Sequence, residues 1–267
     1  MIELEMRNVT LGYNHQPVLR DITLKAAPGE MVGLIGPNGS GKSTIIKALS
    51  RVINPDSGEI TVNGRNINQI SRRELACMVG VVPQLPLLPS AFTAIEIVLM
   101  GRNPHLGLFQ SEDRRDWALA WQAMQKTSTD SLAGRRVNEL SGGEIQCVLI
   151  ARVLVQETGA ILLDEPTANL DIGRQVEILD LIKQLCAGKN LTVLAAIHDL
   201  NLAAQYCDRV VLIHEGHIHA EGTPREVITG ENMAQVYGAA NCVYTHPVNG
   251  LPTVLLGAHR NKANGTK

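Results

Sequence analysis

The chain has 267 residues and a mass of 28.9 kDa; 45% of it is hydrophobic, 19% charged and only 3% aromatic. That is enough aliphatic material for one large domain or a domain with a subdomain, and it excludes collagen-like, coiled-coil and wholly disordered chains. A net charge of −2 offers no bulk attraction for nucleic acid, and no nucleic acid partner is expected.

Residues 2–10 alternate through Ile2, Leu4, Met6 and Val9, and Val18 to Lys25 alternates again, which predicts two half-buried antiparallel strands. Met31 to Ile35 is a continuous apolar run, the pattern of a strand covered on both faces. A glycine-rich turn follows, and Ser43 to Arg51 reads as a helix. Asp56-Ser57-Gly58 predicts a turn, Ile60 to Val62 a strand, and Asn63-Gly64 a hairpin. Cys77 to Val82 reads as another buried strand. From Thr93 to about Gln125 the residues favour helix, and the i,i+4 pair Trp117 and Trp121 is expected to pack inside a helical subdomain. Beyond Leu140 come a helix to Gln156, a strand at Ala160 to Leu163, a helix over 173–186, a strand at Thr192 to Ile197, a helix over 200–206 and a strand at Arg209 to Ile213. The expected class is α/β: a mostly parallel core, an antiparallel N-terminal β subdomain and a helical insert at about 85–155. The main domain is placed at 2–240, with an extension and polar tail over 241–267.

Five cysteines (Cys77, Cys147, Cys186, Cys207 and Cys242) show no zinc spacing, and an odd count argues against a disulfide framework. Met1 leads straight into Ile2-Glu3-Leu4-Glu5, so no secretory leader is expected. The apolar-looking stretch Met78 to Gly101 is interrupted by Pro83, Gln84, Pro86, Pro89 and Glu96 and cannot be a membrane span. The expectation is a chain that stays in a reducing cytosol, with a membrane surface left open.

Gly36-Pro37-Asn38-Gly39-Ser40-Gly41-Lys42-Ser43-Thr44 fits G-x-x-x-x-G-K-[ST] between a buried strand and a helix. Such glycines let backbone N–H groups turn inward around phosphate oxygens, and the helix N-terminus adds partial positive charge. Lys42 is expected to reach the β- and γ-phosphates and Ser43 to ligate Mg²⁺. This makes the core a P-loop NTPase. Ala160 to Leu163 runs into Asp164 and Glu165: Asp164 is a candidate Mg²⁺ ligand and Glu165 a candidate general base for an attacking water. ATP hydrolysis is therefore the expected chemistry.

Leu140-Ser141-Gly142-Gly143-Glu144 opens a helix upstream of Asp164, and with it the chain resembles the ATP-binding-cassette (ABC) ATPases over about residues 2–230. The resemblance implies that Tyr13 stacks on adenine and that Gln84 senses Mg²⁺ and the transport partner. It also implies that Ser141, Gly142 and Gly143 contact nucleotide, that Asp171 of Ala168-Asn169-Leu170-Asp171 belongs to the D-loop, and that His198 touches the γ-phosphate. Two positions depart from the family's LSGGxRQR pattern, Ile145 and Cys147, where arginines are usual. A further cluster, His214, His217 and His219, suggests a metal on one strand face, but an exposed hairpin about Glu215-Gly216 is the simpler reading.

Phe92-Thr93-Ala94, Met100-Gly101-Arg102-Asn103-Pro104-His105, Val137 to Ser141, Gly222 to Val227 and the segment from His246-Pro247 to Pro252 resemble the importers of ferric siderophores, haem or cobalamin. That resemblance implies a head-to-tail dimer at the cytoplasmic face of a membrane. A separate permease would be energised by ATP and Mg²⁺, with a substrate-binding protein acting indirectly. Two alternatives stay open: a soluble cassette ATPase outside transport, and an ATP-gated regulatory module with little turnover.

Overall fold

The structure, a computed structural model, describes residues 1–13, 16–84, 88–107, 110–238 and 243–255; Cys242 and the polar tail lie outside them. Alternation sets the first layer. Strands β1 (Leu4–Tyr13) and β2 (Gln16–Ala26) pair antiparallel and bury Leu4, Met6, Leu11, Leu19, Ile22 and Leu24 on one side. Every residue of β3 (Met31–Ile35) is buried, and it feeds α1 (Lys42–Leu49). A hairpin follows, β4 (Ser57–Val62) to β5 (Arg65–Asn66), whose turn residues Asn63 and Gly64 have φ of +51° and +72°. Both signs are what a two-residue type I′ turn requires.

Next come α2 (Arg72–Met78) and β6 (Val79–Val82), then the insert: α3 (Ala94–Leu99), a 3₁₀ segment over 100–105, α4 (Arg114–Lys126) and α5 (Gly142–Val155). The core resumes with β7 (Ala160–Asp164), α6 (Ile172–Lys189), β8 (Thr192–Ala196), α7 (Leu200–Tyr206), β9 (Arg209–His214) and β10 (His217–Gly222). Two short helices, α8 (Pro224–Val227) and α9 (Gly230–Tyr237), and a small hairpin, β11 (Val243–Thr245) with β12 (Pro252–Val254), complete the described chain.

The central sheet has the order β10-β9-β3-β8-β7-β6, parallel apart from β10, and the second sheet is the antiparallel β2-β1-β4-β5. Helix α1 lies between them, its Ile45, Ile46 and Leu49 sharing a core with both. The other face of the central sheet is covered by α5, α6 and α7. A third apolar core (Ile97, Val98, Ala120, Met124, Val148) belongs to the insert, and α5 contributes to this core and to the main one. The α/β architecture with an antiparallel patch and a helical insert is as expected from the pattern.

Several local expectations are corrected. Cys77 and Met78 are helical: Ser71 caps α2 by accepting from the Glu74 N–H, and this start signal outweighs the apolar run that follows. Ser57 and Gly58 already belong to β4, pairing with β1 where a turn was expected. The helix-favouring region from Thr93 to about Gln125 divides between α3 and α4, and Asp113 starts the second helix with its own capping box. Trp117 and Trp121 do not pack inside the subdomain; they are 49% and 45% exposed. Helix α4 turns Asp116, Ala120, Ala123 and Met124 inward instead, leaving the tryptophans on its flank.

Two polar fastenings stand out. Arg102, 6% exposed, donates through Nε to Asp116 Oδ1 (2.8 Å) and through Nη1 to the Val155 carbonyl (2.9 Å) and Glu157 Oε2 (3.0 Å), tying the 3₁₀ segment to α4 and the end of α5. Asn201 clamps the C-terminal hairpin to α7: Val254 N–H donates to its Oδ1 (2.7 Å) and its Nδ2 donates to Val254 O (3.2 Å). No helix among the described residues is long and apolar enough to cross a membrane. Cys77, Cys147, Cys186 and Cys207 are free thiols.

Candidate functional site

Three adjacent parallel strands, β3, β8 and β7, end at one rim, where open α/β sheets receive ligands. At the end of β3 the chain must turn where there is no room for a side chain. Gly36 has φ of +145°, and a Cβ there would sit 2.1 Å from the Ile213 carbonyl oxygen of β9. Gly41, at φ of +114°, is packed against Leu19 just before α1. Lys42 folds back over this loop, its Nζ donating to the carbonyls of Gly36 (2.6 Å) and Pro37 (2.9 Å). Burial pushes its pKa down, and the nearby charges of Glu165 and Asp164 oppose that shift. Ser40 Oγ is buried without a hydrogen-bond partner among the described residues, as befits a loop that awaits a polar ligand.

At the end of β7, Ser43 Oγ donates to Asp164 Oδ1 at 2.8 Å. Asp164 is buried, and burial raises its pKa against the Ser43 bond that lowers it. Glu165 adopts φ of +55°, a left-handed conformation uncommon outside glycine, and its N–H donates to Ala196 O of β8 (3.2 Å). That turn presents its carboxylate to His198 Nε2, 2.5 Å away. A cavity of about 520 Å³ is lined by residues 38–44, Gln84, Glu165, His198 and Val18. A hydroxyl beside a carboxylate is a hard-oxygen pair, which fits a divalent cation that completes its shell with phosphate and water. Tyr13 is half exposed at the end of β1 and does not line this cavity.

A second cavity, of about 450 Å³, holds Ser141, Gly142 and Gly143 together with Asn169, Asp171 and Arg174. It shares no lining residue with the first. Ser141 caps α5, accepting from Glu144 N–H (3.3 Å) while Glu144 Oε2 accepts from Ser141 N–H (2.7 Å). Asp171 caps α6, its Oδ1 accepting from Arg174 N–H at 2.9 Å. Two helix N-termini therefore converge on one hollow, and each chain keeps this hollow apart from its own phosphate loop.

The family model for the ABC transporter matches residues 19–168, more than half of the chain. The chain belongs to the ABC transporter family. It is 38% identical over 252 residues to the ferric enterobactin transport ATP-binding protein FepC of Escherichia coli, covering 94% of this chain and 93% of that one. It is 40% identical over 274 residues to the hemin import ATP-binding protein HmuV of Burkholderia ambifaria, covering 96% and 100%. A chain of a metal-chelate-type ABC transporter in an inward-facing conformation superposes with a TM-score of 0.82 at 28% identity, covering 95% of this chain and 96% of that one. A dimeric bacterial ABC transporter cassette does so at 0.76 and 28%, covering 83% and 99%.

Within this ABC cassette, the two departures from the family pattern have different surroundings. Cys147 is 3% exposed, part of the main core and a wall of the second cavity, while Ile145 is half buried against the same cores. Glu144 completes a capping box, a task glutamine performs equally well. Among the described residues no cluster of three or more His, Cys, Asp or Glu could hold a metal; His214 and His219 stack edge to face, 6.2 Å apart, beside the Glu215-Gly216 turn. Two residues near the phosphate loop carry no sequence signal. Val18 comes from β2 and lines the cavity; Tyr237, at the end of α9, stands behind the loop close to the Gly36 N–H, where burial pushes its pKa up to about 12.

Proposed function

We propose that this chain is the ATP-hydrolysing subunit of an importer that drives uptake of a metal-chelate nutrient (a ferric siderophore, haem or cobalamin) through a separate membrane permease. The observation that carries the chemistry is one cavity lined by the buried lysine loop with Ser43 and by the Glu165–His198 pair, with Asp164 hydrogen-bonded to Ser43 just outside its wall. Lys42 binds the β- and γ-phosphates, and the backbone of 36–44 cradles them. Ser43 and Asp164, with Gln84, hold Mg²⁺, which when bound offsets phosphate charge. Glu165 takes the proton of the attacking water, and His198 holds that carboxylate in place. The cargo class is supported by relatives named for ferric enterobactin, hemin and cobalamin.

The cassette works as a head-to-tail pair, in which Ser141, Gly142 and Gly143 of one copy close over the nucleotide of the other. The separateness of the two cavities supports this arrangement, since Ser141, Gly142 and Gly143 do not line the cavity of their own chain's phosphate loop. A groove of about 690 Å³ between the core and the insert, with Leu75, Val79, Val81, Met100, Pro104 and Arg152 on its walls, receives a cytoplasmic element of the permease. It borders β6, which leads directly to Gln84. The chain thus acts at the cytoplasmic face of the membrane, with a substrate-binding protein delivering cargo on the far side.

Glu165→Gln tests this reading. It should keep ATP binding, slow hydrolysis about 10²-fold or more, and accumulate as an ATP-dependent dimer in size-exclusion chromatography. A variant that hydrolyses normally and stays monomeric would move the base elsewhere.

A further inference from the structure

The second cavity carries a charge pattern that its family motifs do not explain. Its lining includes two carboxylates, Glu144 and Asp171, and among the described residues one cation, Arg174. Both carboxylates accept from backbone N–H groups of their own helix starts, and Glu144 also pairs with Arg135, which lies outside the lining, at 3.2 Å; Asp171 has no such cation among the described residues. At Cys147, where the resembling cassettes carry an arginine, this chain places a neutral, buried thiol on the cavity wall. Arg174 stands one turn beyond the α6 cap and contributes the charge that acts most strongly on that thiol. Its one side-chain partner among the described residues is Glu177, at 2.9 Å on the same helix, and both side chains are well exposed, at 39% and 62%. Solvated i,i+3 pairs of this kind open easily, and four of the five guanidinium N–H donors remain available.

We propose that Arg174 is a further nucleotide-binding residue of this cassette: in the closed pair of copies its guanidinium meets the terminal phosphate of the ATP held by the other copy's phosphate loop, supplying the cation absent at Cys147. The inference rests on the head-to-tail reading above. Two helix N-termini already bias this hollow toward an anion. Arginine adds what they lack, a mobile full charge with a fork that matches phosphate oxygens. Asp171 adds to the need for that charge, because Arg135 already answers Glu144 while nothing in the lining except Arg174 answers Asp171.

The test uses the full chain carrying Glu165→Gln, and reads the ATP concentration that half-dimerises it by analytical ultracentrifugation. Adding Arg174→Gln should raise that concentration about tenfold or more and flatten its dependence on salt. Arg174→Lys should recover part of the loss. Glu177→Gln, which removes only the surface pair, should leave dimerisation as it was. Affinity of the monomer for a nucleotide analogue and the apo melting temperature should not move with Arg174→Gln. If Arg174→Gln dimerises within about twofold of its parent while Ser141→Arg abolishes the dimer, the head-to-tail reading stands and the role of Arg174 is overturned. A fall in apo melting temperature that accounts for the lost dimer would equally overturn it, making Arg174 a folding residue. A Glu165→Gln parent that never dimerises with ATP would bring down the head-to-tail reading and this inference together.

Discussion

Arg102 offers the most quantitative check on how the insert is held. Its guanidinium and the Asp116 carboxylate are 7% and 8% exposed, and the pair is supplemented by the Val155 carbonyl and by Glu157. Removing one member of a buried ion pair typically costs 3–5 kcal/mol, because the survivor stays buried and uncompensated. Asp116→Ala leaves Arg102 two acceptors, so about 3 kcal/mol is expected, including the lost half of the α4 capping box. For a chain of this size that lowers the melting temperature by about 6–12 °C. Arg102→Met should cost a similar amount by stranding Asp116. The double variant Arg102→Met, Asp116→Ala should be more stable than the sum of the singles implies, by about 1.5 kcal/mol or more, since no buried charge is left alone. Burial raises the Asp116 carboxyl, but the Asp113 N–H and Arg102 outweigh it and hold its pKa below the ordinary 3.8. A depressed carboxyl stabilises fully above the unfolded value and loses its contribution as pH falls through the folded one. The gap between wild type and Asp116→Asn should thus be flat near neutrality and close only below about pH 4. Differential scanning calorimetry across the four-variant cycle measures all of this. Additivity within about 0.5 kcal/mol would refute the reasoning.

Three other outcomes are expected. Lys42→Ala should bring nucleotide-analogue binding below detection in an equilibrium titration, because it removes the cation seated over the Gly36 and Pro37 carbonyls; unchanged affinity would misassign the loop. Restoring both arginines, with Ile145→Arg and Cys147→Arg, should lower the apo melting temperature without speeding turnover alongside the permease. Residue 147 is walled by the core and already near the charge of Arg174, so a gain in stability would contradict this packing. Asn201→Ala should free the C-terminal hairpin, at a cost of about 1–2 kcal/mol for two lost bonds. Limited proteolysis should then cut near residues 243–255 first, and an unaltered digestion pattern would show that the clamp is dispensable.

The two strongest sequence signals were also the most local. The loop Gly36–Thr44 and the strand ending Asp164-Glu165 are each written in consecutive residues, and the buried runs at 31–35 and 160–163 fix where their strand ends lie. The Glu165–His198 contact was not legible as a contact, because it depends on β7 and β8 being neighbours, a fact of topology. Tyr237 was invisible for the same reason, reaching Gly36 from the far end of the chain. Boundaries failed where short-range capping competed with apolar runs, as at Ser71 to Met78. The tryptophans misled because spacing tells which residues share a face but not which way the face points.

The placement of the insert bears on how the chain reaches this shape at all. Strands β6 and β7 are parallel neighbours, Val82 beside Leu163, yet residues 83–159 intervene. Closing a flexible loop of that length costs about 4 kcal/mol of chain entropy beyond the fixed constant. The insert has its own apolar core, so helices that condense early shorten the effective tether, and each halving recovers about 0.6 kcal/mol. Helix α5, shared between that core and the main one, would then arrive at the sheet already aligned, delivering β7 to β6 as a consequence of local collapse. Substitutions in the 97–151 core should accordingly slow refolding more than they speed unfolding, which chevron analysis would register as high φ-values far from the sheet itself.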